Sequence, residues 1–291
     1  MALDPDRIQK PLRRLRKLLK ENPSQPTPEE IHDLRTNTRR LEATLNALSL
    51  NSGPKERLLL KDLARIRKRA GRVRDMDVLT GFASTVHPAG EQDCSVQLLE
   101  HLGAQRHKKV DKLHAVVAKR RKALRHHLKE TARDFKKVFS PRRHDRGLTA
   151  FAHATASAFK VQSQLTAPGR LGRNNLHSYR LKVKELHNIL KMAARAEDQE
   201  FIEKLGRVKD AIGEWHDWEE LLAVARDLLD HKPACKLLRE VRRIGVEKYG
   251  CALSEAKNMR RRYLRITSSK TGTHPSQPAD VVWKVTKAIA A

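Results

Sequence analysis

One cationic helical motif is written twice in this chain. His32-x-x-Arg35-x-x-x-Arg39-x-Leu41 has a counterpart in His177-x-x-Arg180-x-x-x-Lys184-x-Leu186, with each residue displaced by the same 177 − 32 = 145 positions. The apolar register continues beyond the motif, Leu45 standing opposite Leu190. A second pair, Gly71-Arg-Val-Arg-Asp75 and Gly213-Glu-Trp-His-Asp217, is displaced by 217 − 75 = 142 positions, a difference that a small loop deletion would explain. Such self-similarity constrains the fold strongly. It predicts two equivalent helical bundles related by a pseudo-twofold axis, with a duplicated surface able to face itself across one site.

Between the motifs nearly every segment reads as amphipathic helix, and no stretch alternates with period two. Ile8, Leu12, Leu15 and Leu19 define a first helix in which Pro11 predicts an early irregularity. Thr27-Pro-Glu-Glu predicts a capping box opening the second. Leu59, Leu63, Ile66 and Ala70 mark a third, and a separate shorter helix is expected from near Asp75 to about His87. A very long, Lys-, Arg- and His-rich helix follows over about 95–139. Beyond a central linker at 140–147 the order repeats: a helix at about 149–164, the His177 helix opened by Asn174 or Asn175, and one from about 198. A short helix after Trp215 and a long last one at about 232–265 complete the set. The expected organisation is a first repeat at 1–140, a second at 141–266 and a flexible tail at 267–291. The fold class is therefore all-α, two helical bundles with long antiparallel helices.

Composition says what such a surface would meet. Lys plus Arg number 61 against 34 Asp plus Glu, a formal charge of +27. A compact body with that excess repels itself and attracts polyanions: nucleic acid, an acidic membrane face or a phosphate polymer. Cys94, Cys235 and Cys251 form no Cys-x-x-Cys pair, so neither a disulfide framework nor a zinc cluster is implied. No apolar signal core or membrane-spanning run is present, and a reducing cytoplasmic location is expected.

On a helical projection His32, Arg35 and Arg39 point within about 60° of one another, beside an apolar face of Ile31, Leu34, Leu41, Leu45 and Leu48. Arg40 borders the same stripe, and Lys191 extends the second copy by a turn. A basic stripe beside an apolar one is ordinarily a solvated face. Its duplication in so cationic a chain favours binding. Arginine forks give paired hydrogen bonds to phosphate oxygens, lysine adds a point charge, and histidine would gain a proton beside bound phosphate. Arg7, Lys10, Arg14 and Lys17 on the first helix, and Arg65, Arg69 and Arg72 on the third, are second-tier candidates. The runs at 119–122 and 260–262 read as solvated helix faces. No phosphate-cradling glycine loop, nucleophile elbow or His-Glu-x-x-His is present, and the dipeptides His32-Asp33, His144-Asp145 and His216-Asp217 are put down to chance. Asp75 and Asp217, among cations, are expected to pin arginines or cap helices.

His32-x-x-Arg35-x-x-x-Arg39-Arg40-Leu41, Gly71-x-x-Arg74-Asp75-x-Asp77-Val78 and their second copies together resemble the CHAD family, the conserved histidine α-helical domain, over about residues 5–265. Glu185 departs from the pattern where a further basic residue is usual. The resemblance implies a basic central groove or pore that binds inorganic polyphosphate. His32, Arg35, Arg39 and Arg40 match the first motif, and His177, Arg180 and Lys184 the second. It implies no catalysis and no cofactor or metal, and suggests association with polyphosphate granules. The alternative is a nucleic-acid backbone binder. Phe, Trp and Tyr make up 4% of residues, too few to interleave the arginines as base-stacking platforms.

Overall fold

Thr27 fixes where the second helix begins. Its Oγ1 accepts the Glu30 amide at 3.2 Å while Glu30 Oε2 accepts the Thr27 amide at 2.8 Å, the expected capping box. The start of the His177 helix is held differently: Asn175 Oδ1 accepts the Gly172 amide at 2.9 Å and its Nδ2 donates to the Arg170 carbonyl at 2.8 Å. The computed structural model describes residues 5–21, 23–50, 53–138, 144–192, 199–229 and 234–264, without the side chains at 5–8, 138, 144–151 and 192. Eight helices contain almost all of them: α1 (Pro5–Glu21), α2 (Pro28–Ala47), α3 (Pro54–Ala83), α4 (Gln92–Val138), α5 (His144–Thr166), α6 (Arg173–Met192), α7 (Gln199–Leu228) and α8 (Lys236–Tyr263). No strand occurs among the described residues, so the fold is all-α. The expected tail at 267–291 and the connection at 193–198, where the loop deletion would fall, lie outside them.

Three expected interruptions are absent. α1 runs through Pro11. An interior proline costs roughly 3 kcal/mol, but burying Leu12, Leu15 and Leu19 contributes about 2 kcal/mol each and outweighs it. α3 and α7 are each one continuous 30-residue helix, not a helix, a turn and a shorter helix. Gly71 and Gly213 lie within them. One interior glycine costs about 1 kcal/mol, too little to break a helix whose buried face continues on both sides through Ile66, Ala70, Val73, Met76 and Leu79. α4 is also unbroken, 47 residues and about 70 Å long.

Successive helices pack on one another, α1–α2–α3–α4 in the first half and α5–α6–α7–α8 in the second, while α2 meets α6 and α3 meets α7 between halves. One apolar core draws side chains from all eight helices, mostly leucines and valines, with Ala252, Ala256 and Met259 from α8. A smaller one joins Met76, Leu79, Leu98 and Leu102 to Trp218, Leu221, Leu237 and Val241, with Phe82 stacked on Trp218 at 4.6 Å. The halves thus share their interior.

Several basic residues hold this frame. Arg106 of α4 donates to Asp77 at 2.6 Å and to the Pro26 carbonyl at 2.7 Å, pinning α3 and the start of α2 together. The arginine runs expected to be solvated prove partly structural. Arg121 donates to the Lys20 carbonyl at the end of α1, and buried Arg260 to the Thr166 and Pro168 carbonyls at the end of α5. Unpaired carbonyls at helix C-termini need donors, and arginine supplies them.

Candidate functional site

Arg35 and Arg180 show what the Gly-x-x-x-Asp motif does. Arg35 on α2 lies across Gly71 of α3, its Nε 3.6 Å from where a Cβ would sit. Arg180 on α6 lies closer still across Gly213 of α7, its Cζ 2.9 Å from the corresponding point, and Nε donates to the Lys209 carbonyl at 3.1 Å. Glycine is needed at 213 because any side chain would displace the guanidinium. One turn further on, Asp75 and Asp217 lie within electrostatic range of the same arginines, without the ion pairs that the expected pinning role would need.

Burial of both carboxyls pushes them above their ordinary range, while Arg35 opposes this most at Asp75 and Arg180 at Asp217. Glu220 joins them: burial raises it, the Asp75 charge adds to this, and Arg180 opposes. His216 of α7 is held down by burial and sits edge-on to His177, ring centroids 4.4 Å apart.

The cations of α2 and α6 converge. Arg39 is lowered to about 10 by burial first, then by Arg35, Arg67 and Arg180. Lys184 is lowered to about 6 by burial, then by Arg39, Arg35 and Arg180. Among the described residues no carboxylate reaches ion-pair distance of Arg35, Arg39 or Lys184. Beside Arg39 and Lys184 opens a cleft of about 500 Å³ between α2, α5 and α6, into which Arg67, Lys160 and Lys182 also look. Glu42, bound to Arg67 at 2.6 Å, and Glu185, 3.5 Å from Lys182, are its carboxylates.

His32 and His177 are exposed, one turn ahead of Arg35 and Arg180. Burial is the first cause lowering both; Arg74 adds to it at His32 and His216 at His177. Arg40 and Lys191 are exposed. The first helix is oriented differently. Arg14 is bound to Asp33 of α2 through Nε at 2.9 Å, Lys10 and Lys17 are exposed, and the Arg7 side chain lies outside the described residues. That contact also accounts for the His32-Asp33 dipeptide, whose carboxylate serves α1. On α3, Arg65 is bound to Asp62 at 3.1 Å, an aspartate shared with Arg120 of α4. Arg65, Arg69 and Arg72 therefore follow a different stripe from the one that meets α2. Arg67, Gly71 and Arg74, spaced four and three apart, are that stripe; the sequence reading named Arg74 only within the family motif and Arg67 not at all.

The fold has a counterpart among solved structures. A crystal structure of the CHAD domain from the plant Ricinus communis superposes with a TM-score of 0.61 at 16% identity, covering 90% of this chain and 93% of that one. No curated protein matches the chain. The family model described as the CHAD domain matches residues 8–230, three-quarters of the sequence, and the chain belongs to that family.

Proposed function

We propose that this protein binds inorganic polyphosphate without turning it over, along a cationic groove built by α2 and α6 from two pseudo-twofold-related halves. The carrying observation is that Arg35, Arg39, Arg180 and Lys184 converge with no carboxylate at ion-pair distance among the described residues, where burial first and the three arginines next lower Lys184 to about 6. A cation cluster this costly to the free protein is what a bound polyanion would relieve. Arg35, Arg39, Arg180 and Lys184 form its centre, with Arg67 and Lys160 toward the cleft and His32, Arg40, His177 and Lys191 outside. Family membership is consistent with this ligand. Such a protein would reside in the cytoplasm, among polyphosphate granules where these form.

Nucleic acid is the competing polyanion. Trp215 and Trp218 are buried in the cores, so neither offers a face for base stacking. Binding of polyphosphates of graded length should fall steeply with salt, as ion pairing and counterion release require. Duplex DNA or RNA at equal phosphate concentration should compete poorly near physiological salt. Displacement by either nucleic acid at parity would refute polyphosphate as the preferred ligand.

A metal-assisted hydrolase is a second reading with one observation behind it: Asp75, Asp217 and Glu220 come within electrostatic range of one another, a carboxylate cluster the sequence reading did not find. Burial favours their neutral forms and the motif arginines compete for them, which weighs against a metal site. Phosphate release dependent on Mg²⁺ or Mn²⁺ and abolished by Asp75→Asn would establish hydrolysis instead.

A further inference from the structure

The corner between α3 and α4 meets the beginning of α8. Gly90, at φ +82°, turns the chain in the left-handed region, and Glu91 follows immediately before α4. The Glu91 side chain crosses to the second half, where Oε1 accepts the Lys236 amide at 2.8 Å and Oε2 lies 3.8 Å from Cys235 Sγ. Cys235 is the N-cap of α8, its sulfur accepting the Leu238 amide at 3.5 Å. Cys94, on the first turn of α4, completes the group. One donor atom from each of Glu91, Cys94 and Cys235 lies within 4.8 Å of the others, and all three residues are buried. Burial, with Glu91 and Cys235 adding to it, pushes the Cys94 thiol up to about 12.

We propose that Glu91, Cys94 and Cys235 form a binding site for a thiophilic divalent cation, zinc above all, that clamps the α3–α4 corner to the N-terminus of α8. Zinc takes sulfur at about 2.3 Å and carboxylate oxygen at about 2.0–2.2 Å, which in a tetrahedron sets donors roughly 3.5–3.8 Å apart. The 3.8 Å separation of Cys235 Sγ from Glu91 Oε2 is about 0.2–0.3 Å wider than zinc sets between sulfur and oxygen, a gap that a small side-chain rotation closes. Two thiolates with one carboxylate suit zinc; magnesium and calcium need an all-oxygen set. Three protein donors leave the fourth position to water.

Binding displaces two thiol protons to solvent per ion, leaving two thiolates, a carboxylate and the dication with a net charge of −1. The α8 N-terminus stabilises that charge, because the Lys236 and Leu238 amides already point at the donor atoms. No local motif marks the site, since 141 positions separate Cys94 from Cys235. Only the packing of the two halves assembles it.

The test uses the full-length protein carrying Cys251→Ser, which removes the exposed thiol. After reduction and chelator stripping it is titrated with Co²⁺, reading thiolate-to-cobalt charge transfer and the visible bands of tetrahedral cobalt, and then with Zn²⁺. One equivalent should bind, Zn²⁺ should displace it, and Tm should rise with Zn²⁺. Cys94→Ser and Cys235→Ser should each abolish the charge-transfer band, serine at 235 still capping α8. Glu91→Gln should weaken Co²⁺ binding at least tenfold. Absence of the band in protein that is folded by circular dichroism overturns the proposal, as does its persistence in Cys235→Ser. A Cys94–Cys235 disulfide that forms equally with and without Zn²⁺ also overturns it. None of these readouts involves polyphosphate, so the two readings stand or fall separately.

Discussion

Gly71 and Gly213 occupy matching motif positions under different constraints. A methyl group at 71 would touch Arg35 at an ordinary van der Waals distance, while at 213 it would collide with Arg180. Gly71→Ala should therefore raise stability by roughly 0.5–1 kcal/mol, the usual gain from removing an interior helical glycine, with polyphosphate affinity unchanged. Gly213→Ala meets the movable end of a long side chain, so the guanidinium shifts and gives up its bond to the Lys209 carbonyl. The lost bond, about 1 kcal/mol, offsets the helical gain. Thermal stability should barely change while affinity falls toward that of Arg180→Ala. Thermal melts with polyphosphate titrations check the pair; equal effects at both sites would contradict this account. The glycines themselves stood out in the sequence, but their role did not. Read locally, Gly-x-x-x-Asp suggests a turn, and only the neighbouring helix shows that glycine makes room for an arginine.

At the scale of the helix, α2 and α6 divide the work. Arg35→Ala with Arg39→Ala, or Arg180→Ala with Lys184→Ala, should each weaken polyphosphate binding at least tenfold, as loss of two charge-assisted contacts of about 1 kcal/mol or more would require. Helicity should be preserved, since none of the four residues makes a buried ion pair. Unchanged affinity in either double variant, read by titration alongside circular dichroism, would remove that helix from the site. The α2 stripe was legible because Ile31, Leu41, Leu45 and Leu48 share one side that carries no charge after the capping Glu30, which leaves one direction for His32, Arg35 and Arg39. α3 was not, because Arg65, Arg67, Lys68, Arg69, Arg72 and Arg74 surround it with charge. Periodicity alone could not select the Arg67–Arg74 side. Contact with α2 and the cleft selects it.

Across the whole molecule the free protein should be sensitive to acid. Lys184 is protonated at ordinary pH in the unfolded chain but only below about 6 in the folded one, so the unfolded state binds more protons between about pH 6 and 10.5. Stability is lowest below that window and rises with pH through it. His32, His177 and His216, held below 6.5, act in the same direction at the acid edge. Tm of the free protein should therefore climb from pH 6 to 8. Saturating long-chain polyphosphate should raise Tm, flatten that climb by restoring the Lys184 proton, and lose part of its effect as salt screens the contact. A free-protein Tm that falls over this range would show that Lys184 keeps its proton. The sequence by itself determined an all-helical fold, the apolar faces and the cationic stripe of α2 and α6, because helical periodicity and side-chain charge are local properties. Tertiary packing alone decided that the two stripes converge, that arginines cross glycines, that Asp33 serves α1, and that Cys94 meets Cys235. Those relations join residues up to 145 positions apart, and no local pattern encodes how two helices will lie across each other.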